Sequence, residues 1–114
     1  MLAVTYHRVG PANEVLSFTE IETPSAAAGE VRVKLASSGV NPSDVKSRAG
    51  VRNKTRPFPL IVPHSDGAGV IDQVGSGVDA ARMGERVWVW NAAWGRPMGT
   101  AAQYVALPAQ QAVT

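Results

Sequence analysis

The chain has 114 residues, of which 45% are apolar and 18% are charged, and its mean hydropathy is −0.04. This length supports one folded domain, and this composition excludes a disordered chain and a membrane-spanning one. The absence of cysteine excludes disulfides and thiolate metal sites and fits a reducing cytoplasm, whereas the net charge of +2 is too small to indicate nucleic-acid binding.

The first part of the chain is predicted to contain short strands separated by turns. Apolar residues in 2–7 and 15–21 indicate two strands, and the Gly, Pro and Asn of 10–13 predict a turn between them. After a loop at 24–29, apolar and polar residues alternate strictly through 31–36. This period of two predicts a half-buried strand and is the clearest signal in the chain.

A short helix is predicted to follow that strand. Asn41 is a favoured N-cap residue, and Pro42 suits the first helical position because its missing N–H would have no partner there. Gly50 is predicted to end the helix in a left-handed conformation.

The second half of the chain is also predicted to be strand-rich. Three prolines exclude 51–63 from a sheet interior, and 66–74 is predicted to be a strand in which Gly67 and Gly69 mark close approaches of neighbouring backbones. Residues 75–77 indicate a tight turn, and 87–90 and 101–107 indicate further strands.

The overall pattern predicts a mainly β fold with short helices, arranged as a partly open antiparallel barrel. Residues 108–114 show neither a terminal strand nor a helix cap, and we expect them to lead into further chain.

Five basic residues fall within eleven residues, with no acid among them, and form a basic segment. They are Lys46, Arg48, Arg52, Lys54 and Arg56. One interpretation is a solvated loop, and the other is a positive lip on a cleft that receives an anionic cofactor or substrate. A nucleic-acid site is the weaker interpretation, because no aromatic residues interleave with these charges.

Three tryptophans lie close together in the sequence. Trp88 and Trp90 share one face of a predicted strand, so we expect at least one of them to pack in the core. Trp94 lies in the polar loop 91–99 and is the better candidate for a substrate contact.

Several segments resemble, in order and spacing, the signature segments of one enzyme family. Residues 36–44 read ASSGVNPSD and resemble the GVNPxD signature of quinone oxidoreductases. Residues 63–71 read PHSDGAGVI and resemble the segment in which GHE or GSD precedes an AGV strand, and VGSGV at 74–78 with GERV at 84–87 resembles the VGxGV and GDRV pair. The chain resembles the zinc-independent quinone oxidoreductases of the medium-chain dehydrogenase/reductase superfamily.

The resemblance implies a GroES-like catalytic domain over residues 1–114, normally followed by a Rossmann domain that binds NADPH and that is absent from this chain. The intact enzyme would be a cytoplasmic homodimer that transfers hydride to a quinone or enone, with no nucleic-acid or membrane partner. Gly67, Ala68 and Gly69 lack the third glycine of a dinucleotide fingerprint and do not open a helix. We therefore expect this chain alone to have little or no turnover.

Departures from the zinc-dependent members predict that no zinc is bound. Those enzymes resemble this chain but place Cys where Asn41 stands and Glu where Ser65 stands. His64 then remains as a lone ligand, and a catalytic zinc site needs three protein ligands.

The resemblance implies catalytic roles for Asn41, Asp44 and His64. Asn41 would donate an amide N–H to the substrate oxygen, although capping the helix is an equal alternative. Asp44 lies in the first helical turn, where an anion is favoured, so a structural role is preferred. His64 would orient substrate or relay a proton, and the alternative is a histidine tied to backbone at a strand edge.

The remaining assignments concern binding. Lys46 stands where quinone reductases often carry Tyr, and we assign it, with Trp94, to substrate binding. We assign Arg48 to the cofactor at the cleft mouth, together with Asn41, although a solvated arginine is the default for Arg48. The alternative function is a stand-alone GroES-like module used for binding or assembly, which would not need Asn41, Asp44 and His64.

Overall fold

The computed structural model describes residues 1–51 and 57–114 of the chain. Its strands are β1 (Leu2–Thr5), β2 (Ser17–Glu20), β3 (Glu30–Gly39), β4 (Asp66–Val74), β5 (Arg86–Val89), β6 (Tyr104–Pro108) and β7 (Ala112–Val113), and its helices are α1 (Ala12–Val15) and α2 (Pro42–Ala49). Single 3₁₀ turns at Ala80–Arg82 and Ala109–Gln111 connect the last strands.

The strands form a two-stranded sheet and a five-stranded antiparallel sheet that curls into a half-barrel. β1 pairs with β2, and the larger sheet has the order β6-β3-β4-β5-β7. The predicted fold class, a mainly β fold with short helices arranged as a partly open antiparallel barrel, is confirmed. None of the helices in the described ranges has the length and apolarity that a bilayer crossing requires.

The main core is formed by the strands of the larger sheet. Its largest fully buried side chains are Val31, Val33, Ile71, Val89, Val105 and Leu107. The period-two prediction for β3 is confirmed at its start, because Val31 and Val33 are buried while Lys34 is exposed.

The glycines of β4 occupy positions where two backbones nearly touch. A Cβ at Gly69 would lie 2.0 Å from the Lys34 carbonyl oxygen, and one at Gly67 would lie 2.7 Å from the Ser37 carbonyl oxygen. Both distances are shorter than van der Waals contact, so the predicted close approaches are confirmed. Any larger residue at Gly67 or Gly69 would separate β4 from β3.

A β-bulge interrupts β3 at Ala36. Leu35 pairs with Gly69 and Ser37 pairs with Ala68, which leaves Ala36 as the extra residue. A bulge of this kind shifts the alternation of side chains by one residue. Ser38, opposite Gly67, therefore lies on the same face as Leu35, because a Cβ on Gly67 would approach both Leu35 Cδ2 and Thr100 Cβ.

Three local predictions are wrong. Residues 12–15 form the single helical turn α1, so the second strand starts only at Ser17. β7 is a terminal strand, and it pairs with β5. Trp88 and Trp90 are 52% and 37% exposed, because Val87 and Val89 take the core-facing positions of β5.

Candidate active site

A cavity of about 550 Å³ opens between the start of α2 and two loops. Asn41, Ser43 and Asp44 line it on one side, and the segments 63–66 and 91–96 line it on the other. Of the residues predicted to form the site, the structure brings Asn41, Asp44, His64 and Trp94 to this cavity.

The helix α2 is held at its N-terminus by a reciprocal arrangement. Asn41 is the N-cap in extended conformation and Pro42 follows as the first helical residue, as predicted. The Asp44 carboxylate accepts a hydrogen bond from the Asn41 backbone N–H at 2.7 Å. Asp44 thereby fixes the position of Asn41 at the cavity, which is the structural role that the sequence favours. Gly50 ends the helix with φ of 76°, also as predicted.

The Asn41 side chain is oriented by Asp66. Its amide Nδ2 donates to Asp66 Oδ2 at 2.6 Å. Because an ionised carboxylate only accepts hydrogen bonds, the amide nitrogen and not its oxygen faces Asp66. A primary amide has two hydrogens, and the second has no partner among the described residues. Asn41 therefore retains a donor at the cavity.

His64 is held in the left-handed region of backbone conformation, with φ of 78°. Its Nδ1 lies 2.8 Å from Ser38 Oγ, which lies 2.9 Å from Thr100 Oγ1, and that hydroxyl donates to the Asp66 carbonyl oxygen at 2.7 Å. The backbone is tied as well, because the Thr100 N–H donates to the His64 carbonyl oxygen at 2.9 Å. His64 is thus fixed through both its ring and its main chain.

Gly99 permits this arrangement. A Cβ there would lie 2.2 Å from the His64 carbonyl oxygen and 2.5 Å from that of Pro63. Any side chain would therefore push Thr100 away from His64. No local sequence signal marks this position, because the contact joins segments about 35 residues apart.

The other predicted binding residues lie around the cavity or outside it. Trp94 is 78% exposed at the rim. Lys46 is exposed on α2 and Arg48 donates from Nη1 to the Gly10 carbonyl oxygen, and neither lines the cavity. Arg52, Lys54 and Arg56, the rest of the basic segment, lie outside the described residues.

Four residues at or beside this cavity were not predicted from the sequence: Ser38, Asp66, Arg96 and Thr100. Arg96 lines the wall, where burial lowers the pKa of its guanidinium, and Glu30, 3.7 Å away, acts in the opposite direction. Asp66 directly follows His64 and Ser65 in the sequence, so it could have been assigned to the site from the sequence alone. Thr100 had no such signal.

The described residues do not fit a zinc site. Within 1–51 and 57–114, no group of three or more His, Cys, Asp or Glu side chains is close enough to hold a metal ion. His64 also uses Nδ1 for Ser38, which leaves one ring nitrogen for any other partner.

Comparison with known proteins gives a consistent result. Residues 27–114 match the family model described as the alcohol dehydrogenase GroES-like domain. The Escherichia coli starvation-sensing protein RspB is 45% identical over 74 residues, which are 65% of this chain and 21% of that protein. Quinone oxidoreductases and alcohol dehydrogenases both occur among the other matched proteins.

Two solved structures have the same fold over nearly the whole chain. A putative alcohol dehydrogenase from Sinorhizobium meliloti superposes with a TM-score of 0.85 and 32% identity, over 98% of this chain and 39% of that one. A mycobacterial protein solved in complex with NADPH superposes with a TM-score of 0.83 and 27% identity, over 100% of this chain and 33% of that one. The chain thus corresponds to 21–39% of the length of these three proteins.

Proposed function

Because the chain belongs to the alcohol dehydrogenase GroES-like domain family of the medium-chain dehydrogenase/reductase superfamily, we propose that it is the substrate-side domain of an NADPH-dependent quinone or enone reductase that works without zinc. The observation that carries this proposal is the Asn41 amide, which Asp66 orients so that its second N–H is available at the cavity.

A polarising donor is what a carbonyl reduction without a metal requires. When bound, NADPH would supply a hydride, and the acceptor would gain negative charge on its carbonyl oxygen until a proton from solvent completes the reduction. Asn41 donates to this oxygen, and its preorganisation by Asp44 and Asp66 means that the amide need not reorient during the reaction. The geometry of Asn41 therefore supports carbonyl reduction.

The donor set supports the zinc-free assignment. Asn41 and Ser65 offer weak neutral oxygens where a metal site needs charged or imidazole ligands. Asn41 already directs its amide nitrogen toward Asp66. A tight zinc site at this cavity would need the hydrogen bond between Asn41 and Asp66 to be rebuilt.

The proposal includes partners for this domain. We propose that a nucleotide-binding domain of the Rossmann type closes the cavity and holds most of NADPH, that the complete protein is a cytoplasmic homodimer, and that its substrate is a small conjugated carbonyl compound. Trp94 at the exposed rim offers a flat surface for the substrate ring. Lys46 and Arg48 remain proposed contacts for substrate and cofactor.

The test is a steady-state assay of the full-length protein purified without an affinity tag. NADPH oxidation with a panel of quinones and enones is compared with NAD reduction by primary and secondary alcohols, each with and without added zinc. We expect quinone or enone reduction that does not change with zinc. Alcohol oxidation that needs zinc would overturn the proposal, and ligand binding without turnover would favour a stand-alone binding module.

An Asn41→Ala variant tests the role of the amide in the same assay. We expect a loss of about 100-fold in kcat, the scale that follows removal of one oxyanion donor. Asn13→Ala is the matched control, because Asn13 is exposed on α1 and does not line the cavity. Equal activity of Asn41→Ala and Asn13→Ala would exclude the proposed polarisation.

A further inference from the structure

The hydrogen bonds from His64 to Asp66 have one direction only. The Asp66 carbonyl oxygen accepts, so the single hydrogen of the Thr100 hydroxyl points to it across 2.7 Å. Thr100 Oγ1 must then accept from the Ser38 hydroxyl at 2.9 Å. The Ser38 hydrogen is used in that bond, so Ser38 Oγ accepts at 2.8 Å from His64 Nδ1. The hydrogen of the neutral ring therefore lies on Nδ1.

The buried end of this network makes the direction firm. Thr100 has no solvent-exposed surface, so water does not compete for its hydroxyl. The network also ends at a peptide carbonyl, which cannot take up a proton. It holds the ring in one state instead of conducting protons through Ser38. The other ring nitrogen, Nε2, has no partner among the described residues and is the one left for a ligand.

We infer that Ser38 and Thr100 are positioning residues, which hold the hydrogen of neutral His64 on Nδ1. As a consequence, Nε2 accepts a hydrogen bond from a hydroxyl group of the ligand in the cavity. With Asn41 as a donor, this selects a carbonyl compound that also carries a hydroxyl group. This choice of substrate class rests on the proposed function. The state of the ring does not.

The ring state is tested by two-bond ¹H–¹⁵N NMR on this 114-residue chain at about pH 9, above the ordinary histidine range. A His7→Gln variant assigns the two histidines. We expect His64 to show the Nδ1–H tautomer. The Nε2–H tautomer in the wild-type chain would overturn the inference, whatever the enzymatic activity.

Variants of the network test its cause. In Thr100→Val the Ser38 hydroxyl loses its acceptor and turns to donate to Nδ1, so the Nε2–H tautomer should appear. Thr100→Ser keeps the hydroxyl and should give the wild-type spectrum. Ser38→Ala tests the same link at an exposed position, where folding is not at risk, and should also release the ring. The neighbouring Ser37→Ala is the matched control. Unchanged tautomers in both Thr100→Val and Ser38→Ala would contradict the positioning role.

The substrate class is tested with the full-length protein and a matched pair, 4-hydroxycyclohex-2-enone and cyclohex-2-enone. One added hydrogen bond should lower KM for the hydroxylated enone by roughly five- to tenfold, with little change in kcat. This advantage should disappear in Ser38→Ala and Thr100→Val and should persist in Thr100→Ser. Reduction of both enones with equal KM would reject the substrate class while leaving reductase activity intact. Reduction of neither enone, and of no quinone in the panel described above, would reject the proposed function while the NMR result on His64 stands.

Discussion

Replacing Asn41 by Asp should reveal how the amide is held at the cavity. The substitution keeps the size of the side chain and a good N-cap residue, so helix capping alone predicts no loss of stability. The contact with Asp66 predicts the opposite. Asn41 Nδ2 lies 2.6 Å from Asp66 Oδ2, and Asn41→Asp would place two carboxylates in that contact.

The size of the effect follows from Coulomb repulsion and the lost hydrogen bond. Two unit charges about 4 Å apart repel by about 1 kcal/mol in water and by about 4 kcal/mol at an effective dielectric constant of 20. Asp66 is exposed, so the lower value applies. Loss of the amide hydrogen bond adds about 1 kcal/mol. We expect Asn41→Asp to lower the free energy of unfolding by about 2 kcal/mol at pH 7.

Two comparisons identify the cause of that loss. Repulsion requires both carboxylates to be ionised, so the deficit relative to the wild type should shrink as the pH falls through the carboxyl range near 4. The double variant Asn41→Asp with Asp66→Asn exchanges donor and acceptor and should recover most of the stability. It should not recover turnover, because an ionised carboxylate cannot donate to the substrate oxygen.

The measurement is urea unfolding of the wild type, both single variants and the double variant at pH 7 and pH 4, followed by circular dichroism. The reasoning would be refuted if Asn41→Asp were as stable as the wild type at pH 7. It would also be refuted if the loss were the same at both pH values and were not reduced by Asp66→Asn.

The remaining predictions concern a backbone contact and two ligands. Gly99→Ala places a Cβ 2.2 Å from the His64 carbonyl oxygen and should lower the free energy of unfolding by roughly 2–3 kcal/mol in urea. Gly77 has φ of 83° and no atom within 4 Å of an added Cβ, and Asn tolerates the left-handed conformation, so Gly77→Asn should cost about 1 kcal/mol at most. An equal effect of the two substitutions would exclude the close approach. Elemental analysis of untagged protein should find well below one zinc per chain, and one tightly held zinc per chain would contradict the zinc-free assignment. Titration calorimetry of this chain with NADPH should detect only weak binding that is lost at moderate salt. The reason is that, within the described residues, no glycine turn at a helix N-terminus cradles the pyrophosphate. Micromolar binding that survives moderate salt would contradict this prediction.

Features that depend on neighbouring residues were predictable from the sequence. The start and end of α2 follow from Asn41, Pro42 and Gly50, whose conformational preferences act within one turn. The burial of Val31 and Val33 follows from a period of two. The glycines of β4 also signalled backbone proximity, although the sequence could not identify which strand approaches.

Features that depend on pairing between distant segments were not predictable. The bulge at Ala36 has no sequence mark, yet it brings Ser38 to the face of Leu35 and so to Thr100. β7 has two residues and exists because β5 pairs with it. Trp88 in β5 and Trp90 directly after it were assigned by hydrophobicity, although the alternation with Val87 and Val89 already pointed them outward. Roles for Lys46, Arg48 and Trp94 stay predictions.

The distance along the chain between the members of the His64 network has a consequence for synthesis. Ser38 and Thr100 are 62 residues apart, and β1 is bound to the segment at 101–103, because the Val4 N–H donates to the Ala101 carbonyl oxygen. During translation, the first strand and the incomplete sheet must wait, with apolar faces exposed, until that late segment has left the ribosome. Folds dominated by such non-local contacts close slowly. The cavity should therefore form late, only after Thr100 and Ala101 have left the ribosome.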